Sequence, residues 1–384
     1  MKVMTIVGTR PEIIRLSRVM IALDKATEHV VVHTGQNWDP LLRDVFFEDL
    51  GLREPNHCLD IETSSLGKVM GGILIAIEPI LLEERPDAVL VLGDTNSCIA
   101  AVMAKRLGIP VFHMEAGNRC FDENVPEEIN RRLIDHVADF NLCYTEHARR
   151  NLLAEGLPPR RVFVIGSPVA ELLHTYQDAI HDSDVLSRLN LEPRKYVLVS
   201  MHREENIDNE SNLRALLDGI DRVQKLFGCR VIISTHPRLR NRLSWIAFDP
   251  ESSSVEFLDP FGYMDFNHLQ LHALCVLSDS GTISEESAVL GFPAITFRNA
   301  MERPEALDAG SIMLTGLKPS AIERAASLVV ENWEDGIRPS IPIEYTWQDC
   351  SSRVLRLIIG LSGVHSVWAN LVPKTGLIFE HLRE

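Results

Sequence analysis

The chain has no C-x-x-C pair and no regular cysteine spacing. Cys58, Cys98, Cys120, Cys143, Cys229, Cys275 and Cys350 are scattered, which argues against a disulfide framework and for reduced, mostly buried thiols in a cytoplasmic protein. No tight His/Cys/Asp spacing is present, so no metal site is expected. No apolar run reaches the roughly 20 residues of a membrane span. The first such run, Met1 to Val7, is far shorter and is followed by no signal-peptide cleavage pattern; it is expected to be a strand rather than a membrane insertion. A basic block is also missing: 38 Lys and Arg stand against 54 Asp and Glu, a formal charge of −16. A nucleic-acid partner needs a basic face and is therefore excluded, whereas a small phosphorylated ligand, which needs only a few local donors, is not. No short-period repeat is evident.

What is present is a recurring pattern. Five polar clusters each follow directly after a short, apolar, β-branched run: Gly8-Thr9-Arg10-Pro11-Glu12, Gly93-Asp94-Thr95, Glu115-Ala116-Gly117, His202-Arg203-Glu204-Glu205 and Ser278-Asp279-Ser280-Gly281-Thr282. Runs of this kind separated by helix-length segments read as buried parallel strands, and open parallel sheets bind ligands beyond the carboxyl ends of their strands. One βα-alternating series has strands expected at 3–7, 30–33, 88–92, 111–114, 141–144 and 162–165. A second has them at 196–201, 230–234, 255–258, 274–277, 294–297 and 312–314. With 384 residues, too many for one ordinary core, the expected fold is α/β, two Rossmann-like domains with a cleft between them. The expected boundaries are 1–169 and 170–351, with a C-terminal helix in about 352–384 packing back on the first domain.

The clusters carry recognisable chemistry. Gly8-Thr9-Arg10-Pro11-Glu12 joins a strand to a helix start, where free amides attract anions and Arg10 adds a guanidinium; an ordinary turn with an Arg–Glu surface pair fits the same residues. Ser280 and Gly281 can cradle a diphosphate. Glu286, one turn into the following helix, can accept from ribose hydroxyls, or merely offset the helix dipole together with Glu285. Arg303 can supply a second cation. Asp94, Glu115 and Glu127 are acid–base candidates, the first two at a dry sheet edge. Asn124-Val125-Pro126-Glu127 also has capping-box spacing, and Glu127–Arg131 that of an ordinary i,i+4 pair. His202 and His236 end strands of the second half, where an imidazole can meet substrate or phosphate, or be structural.

Together these segments resemble the non-hydrolysing UDP-N-acetylglucosamine 2-epimerase family. The resemblance runs in order from Val7 through Leu92-Gly93-Asp94-Thr95, His113-Met114-Glu115-Ala116-Gly117, Val125-Pro126-Glu127-Glu128-Ile129-Asn130-Arg131, His202-Arg203-Glu204-Glu205-Asn206 and Ser278-Asp279-Ser280-Gly281 to Glu302-Arg303-Pro304-Glu305. It implies a GT-B-like fold, no cofactor, and a homodimer. It also implies a reaction in which UDP leaves as the C2 proton of a UDP-activated 2-acetamido sugar is removed, then returns to the glycal as a proton reaches the other face of C2. The resemblance gives Asp94, Glu115, Glu127 and His202 to catalysis. Arg10, Arg131, His236, Ser280, Gly281, Glu286 and Arg303 go to substrate and UDP. Asn96-Ser97-Cys98 and Asn118-Arg119-Cys120-Phe121-Asp122 are similar to the branch that makes UDP-N-acetyl-L-fucosamine from its L-talose epimer for capsule or O-antigen. The glucosamine type has Leu in place of Asn118, and Gln-His where this chain has Gln36-Asn37-Trp38. UDP-GlcNAc epimerisation, a GT-B glycosyltransferase, a hydrolysing epimerase and a non-catalytic sensor are the alternatives.

Overall fold

The apolar β-branched runs become the strands of two wholly parallel sheets. The first is ordered β3-β2-β1-β4-β5-β6-β7, with β1 Lys2–Val7, β2 Glu28–His33, β3 His57–Cys58, β4 Ala88–Leu92, β5 Val111–Met114, β6 Phe140–Cys143 and β7 Val162–Val164. The second is ordered β10-β9-β8-β11-β12-β13, with β8 Tyr196–Ser200, β9 Arg230–Ser234, β10 Glu256–Leu258, β11 Cys275–Ser278, β12 Ala294–Thr296 and β13 Met313–Leu314. This computed structural model describes residues 1–35, 50–248 and 255–369. Gln36-Asn37-Trp38 and the tail beyond residue 369 lie outside the described residues. The sheets belong to separate units, Met1–Glu171 with Gln348–Glu384, and Leu172–Trp347.

Every residue of β4 and β5 is buried, as expected of central parallel strands covered by helices on both faces. Each fully buried Val or Leu there contributes about 1.5–3 kcal/mol of transfer free energy. In the first unit the helices used below are α1 Arg10–Ala26, α2 Leu66–Glu84, α3 Ala100–Arg106, α4 Pro126–Val137 and α5 Glu146–Ala154. In the second they are α6 Glu210–Phe227, α7 Pro237–Trp245, α8 Tyr263–His272, α9 Ile283–Leu290 and α10 Pro319–Glu334. Gly219 of α6 lets α10 approach: a Cβ there would lie 2.8 Å from Ile322 Cδ1. The last long helix, α11 Cys350–Ser362, packs on α1, and Ser351 N donates to the buried Glu171 carboxylate at 2.7 Å.

In each sheet the strand order reverses between its first and fourth strands in sequence, β1 and β4 in one and β8 and β11 in the other. Crevices open at such switch points, and four of the five polar clusters follow these four strands. The fifth follows β5, the next strand over.

Candidate active site

In the first unit, Glu12 ties two of the turns together. Its Oε2 accepts from Gly8 N at 2.9 Å, Thr9 N at 2.7 Å and Thr9 Oγ1 at 2.9 Å, while Oε1 accepts from Thr95 Oγ1 at 2.8 Å. Thr9 and Glu12 therefore form a capping box. Burial pushes the Glu12 carboxyl up to about 7, against the opposing pull of its hydrogen bonds from Thr95, Thr9 and Gly8. Gly8 has no alternative: a Cβ would sit 2.0 Å from both Ser97 Oγ and Thr34 Oγ1. Arg10, the first helical residue, is left exposed at the mouth of this turn.

Asp94 follows Gly93, whose φ is +74°. Its side chain is paired with Arg131, which also donates to Glu128 Oε2 at 2.9 Å. Asn130 Nδ2 holds the Asp94 carbonyl at 3.0 Å. Glu115 is buried and paired with Arg15 from α1, and Asn118 Nδ2 lies 3.4 Å from its Oε1. A Cβ on Gly93 would lie 3.6 Å from Glu115 Oε2, so the Glu115 carboxylate overhangs the turn that carries Asp94. Glu115 has φ +65°, a left-handed conformation that costs a non-glycine residue about 1–3 kcal/mol and persists where the surroundings over-determine it. Gly117, at φ +82°, passes so close to α5 that a Cβ would meet Ala148 O at 2.3 Å.

Glu127 does not close the capping box with Asn124 that its spacing suggests. α4 starts at Pro126 with Val125 as N-cap and no side-chain cap hydrogen bond, because Asn124 N is turned toward Asp122 Oδ1 at 3.0 Å. No capping box forms at 124–127. Glu127 is exposed on the first turn of the helix that also presents Asn130 and Arg131 to Asp94.

In the second unit, the fully buried Asp279 organises the site. It accepts from His202 N at 3.1 Å, Arg203 N at 3.0 Å and Asn206 Nδ2 at 3.1 Å, and lies 3.2 Å from His202 Nδ1. His236 caps α7, accepting from Arg238 N at 3.2 Å, and its ring centre is 6.3 Å from that of His202. Gly281 lies beside two guanidinium groups: the position of its missing Cβ is 3.3 Å from Arg203 Nη2 and 3.4 Å from Arg303 Nη1. Arg303 also donates to the Gly281 carbonyl and lies 3.2 Å from Glu285 Oε2. Ser280 Oγ and Thr282 Oγ1 are 3.0 Å apart, and Glu286 accepts from Thr282 Oγ1 at 2.7 Å and Gln270 Nε2 at 2.8 Å. Glu285 and Glu286 thus have separate partners, one an arginine and the other a polar cluster.

The structure adds residues to which the sequence assigned no role, Arg15, Asn130, Arg203, Gln270 and Asp279, and it buries Glu12 beneath the turn instead of leaving it in a surface pair with Arg10. Arg15 meets Glu115 across 100 positions of sequence, so no local pattern could have found it. Arg203 and Asp279 stand inside recognisable motifs, where nothing in the pattern sets them apart from their neighbours. Among the described residues, no group of three or more His, Cys, Asp or Glu is placed to hold a metal ion, and no helix is long and apolar enough to cross a membrane.

The family model described as UDP-N-acetylglucosamine 2-epimerase matches residues 21–358. The solved structure of UDP-N-acetylglucosamine 2-epimerase from Rickettsia bellii is 42% identical with a TM-score of 0.88, covering 96% of this chain and 99% of that one. Methanocaldococcus jannaschii UDP-GlcNAc 2-epimerase, solved in complex with UDP-GlcNAc and UDP, is 34% identical with a TM-score of 0.87, covering 94% of this chain and 100% of that one. A Pseudomonas aeruginosa relative, UDP-2,3-diacetamido-2,3-dideoxy-D-glucuronate 2-epimerase, is 33% identical over 336 residues, 85% of this chain and 91% of its own. The two parallel α/β sheets are those of this GT-B-like architecture, and the chain belongs to the UDP-N-acetylglucosamine 2-epimerase family of isomerases.

Proposed function

We propose that this enzyme interconverts UDP-2-acetamido-2,6-dideoxy-L-talose and UDP-N-acetyl-L-fucosamine, a precursor of capsule or O-antigen polysaccharide. The observation that carries the chemistry is the pair Asp94 and Glu115, at the ends of neighbouring strands, each held by its own arginine, the buried Arg131 and the partly buried Arg15. In the forward direction one carboxylate takes the C2 proton. The C–H electrons form a C1–C2 double bond, and the C1–O bond breaks with its electron pair passing to the β-phosphate oxygen of UDP. UDP then re-adds at C1 while a carboxylic acid on the opposite face protonates C2, so atoms and charge balance over the cycle. Glu127 is the third proton-transfer group of this scheme, and its exposed place on the first turn of α4 leaves it accessible to substrate.

The second unit is proposed to hold UDP throughout. The 280–282 turn and the Arg203 and Arg303 guanidinium groups beside Gly281 suit a diphosphate. His202 and His236 flank it, Arg10 supplies a further cation, and Glu286 accepts from the ribose hydroxyls. The L-sugar branch is supported by Asn118, a polar neighbour of Glu115 where the glucosamine type has Leu. A relative named for a diacetamido-glucuronate shows that the family reaches beyond UDP-GlcNAc. The family likeness also carries the proposal of a homodimer, which sedimentation velocity tests.

Proton NMR in deuterated water, without added metal or NAD, tests the reading with UDP-N-acetyl-L-fucosamine and UDP-GlcNAc in separate tubes. Deuterium at C2 with a new epimer in the first tube only is the expected result. Exchange with UDP-GlcNAc only moves the enzyme to the glucosamine branch, and exchange with neither substrate overturns the proposal.

A further inference from the structure

We infer that Asp135 is a positioning residue that fixes the turns carrying both Asp94 and Glu115, an inference that rests on the proposed role of those two carboxylates in proton transfer. Asp135 lies on α4 and is fully buried. Its oxygens receive Gly117 N at 3.2 Å each and Arg119 Nη1 at 2.7 Å, and Oδ1 lies 2.9 Å from His113 Nδ1. His113 and Gly117 stand two residues before and two residues after Glu115. One carboxylate therefore accepts from the backbone just after the strained Glu115 and packs against the ring just before it.

The grip extends to the neighbouring strand. His113 Nε2 donates to the Gly93 carbonyl at 2.7 Å, the peptide that leads directly into Asp94. Arg119 is clamped in turn by Glu155, with Nε and Nη2 donating at 2.8 and 2.7 Å, so Asp135 is itself held from behind. A left-handed Glu115 needs surroundings that over-determine it, and Asp135 supplies two of those constraints as acceptor from Gly117 N and Arg119 Nη1, with the His113 ring packed close beside it. The placement of Glu115 over Gly93 depends on the same atoms.

The test compares wild type, Glu115→Gln, Asp135→Asn and His113→Asn. It measures C2 deuterium exchange across substrate concentrations, UDP affinity by calorimetry and folding by circular dichroism. Asn at 135 keeps the shape but turns one acceptor into a donor. Asn at 113 keeps a polar atom near the Nδ1 position but cannot reach the Gly93 carbonyl.

A displacement of about 1 Å costs on the order of 100-fold in rate. Asp135→Asn is therefore expected to lower kcat by about 10- to 100-fold while KM and UDP affinity stay within about threefold, with His113→Asn losing less. A general loss of packing would instead move KM, UDP affinity and folding together. If Glu115→Gln abolishes exchange but folded Asp135→Asn keeps wild-type kcat, the positioning role is overturned. Should Asp135→Asn fail to fold, wild-type kcat in His113→Asn has the same meaning. Normal exchange in Glu115→Gln removes the underlying reading, and this inference with it.

Discussion

Replacing Glu12 by Gln should flatten one segment of the pH dependence of stability. Burial raises the Glu12 carboxyl from 4.5 to about 7 in the folded protein, so between those values the native state binds a proton that the unfolded chain releases. The stabilisation linked to that proton is complete below about pH 4.5 and is lost as pH rises through 7. At 1.36 kcal/mol per pH unit, the gap amounts to about 3 kcal/mol. Gln keeps an acceptor for Gly8 N, Thr9 N and Thr9 Oγ1, and its amide can donate to Thr95 Oγ1 once that hydroxyl turns round. The neutral variant should therefore hold the turn at every pH. Carboxylates held down by partners, such as Glu84 bonded to Lys2 and Glu155 bonded to Arg119, have the opposite sign and act below about pH 4.5, so the windows do not overlap. Urea unfolding of wild type and Glu12→Gln at several pH values from 5 to 8 reads the difference between the two proteins, which removes contributions common to both. The wild type should lose about 2.5 kcal/mol relative to the variant across that range, the part of the gap that lies above pH 5. Parallel curves would refute the claim that Glu12 is taken up neutral by its site.

Other perturbations separate the parts of the site. Gly117→Ala places a methyl 2.3 Å from Ala148 O at a positive φ, so thermal unfolding should show a loss of about 2–4 kcal/mol. Arg303→Met removes a guanidinium beside Gly281 and takes one cation from the fully buried Glu285; calorimetry should show UDP affinity down by at least about tenfold, as expected for a charge-assisted contact of about 1.5–3 kcal/mol. Arg15→Met leaves Glu115 buried without its cation. It should suppress C2 exchange with little change in UDP affinity, and unchanged exchange would show that the pair is dispensable. Gln270→Leu frees Glu286 from one of its two side-chain donors. Competition between UDP and 2′-deoxy-UDP should then show a weaker preference for the ribose, and an unchanged preference would count against Glu286 as the ribose acceptor.

What could be read from the sequence follows a physical rule. Strands such as β4 are apolar on both faces because helices cover both, and that leaves unbroken runs which announce themselves. The turns after them are legible because glycine, proline and charged residues interrupt those runs. β3, with only two residues, leaves no such trace. Within the site, residues in the turns could be named, whereas the groups that hold them could not. Arg15 and Asp135 lie on helices, 8 and 5 residues from the nearest strand end, where a charged residue looks like any solvated helix face; Arg131 could be named, but not its pairing with Asp94. The Asn124–Glu127 spacing misled for a related reason: a capping box requires a particular backbone turn as well as a residue pair, and Pro126 at the start of α4 leaves Val125 as the N-cap. The same limit governs Glu115. Its neighbour Gly117 hints at an unusual backbone, but the left-handed conformation of a glutamate can be stable only if something distant compensates it, and that compensation comes from Asp135, 20 residues along the chain. Local pattern therefore identifies where chemistry is possible, and the long-range ion pairs and clamps decide which carboxylates are held ready for it.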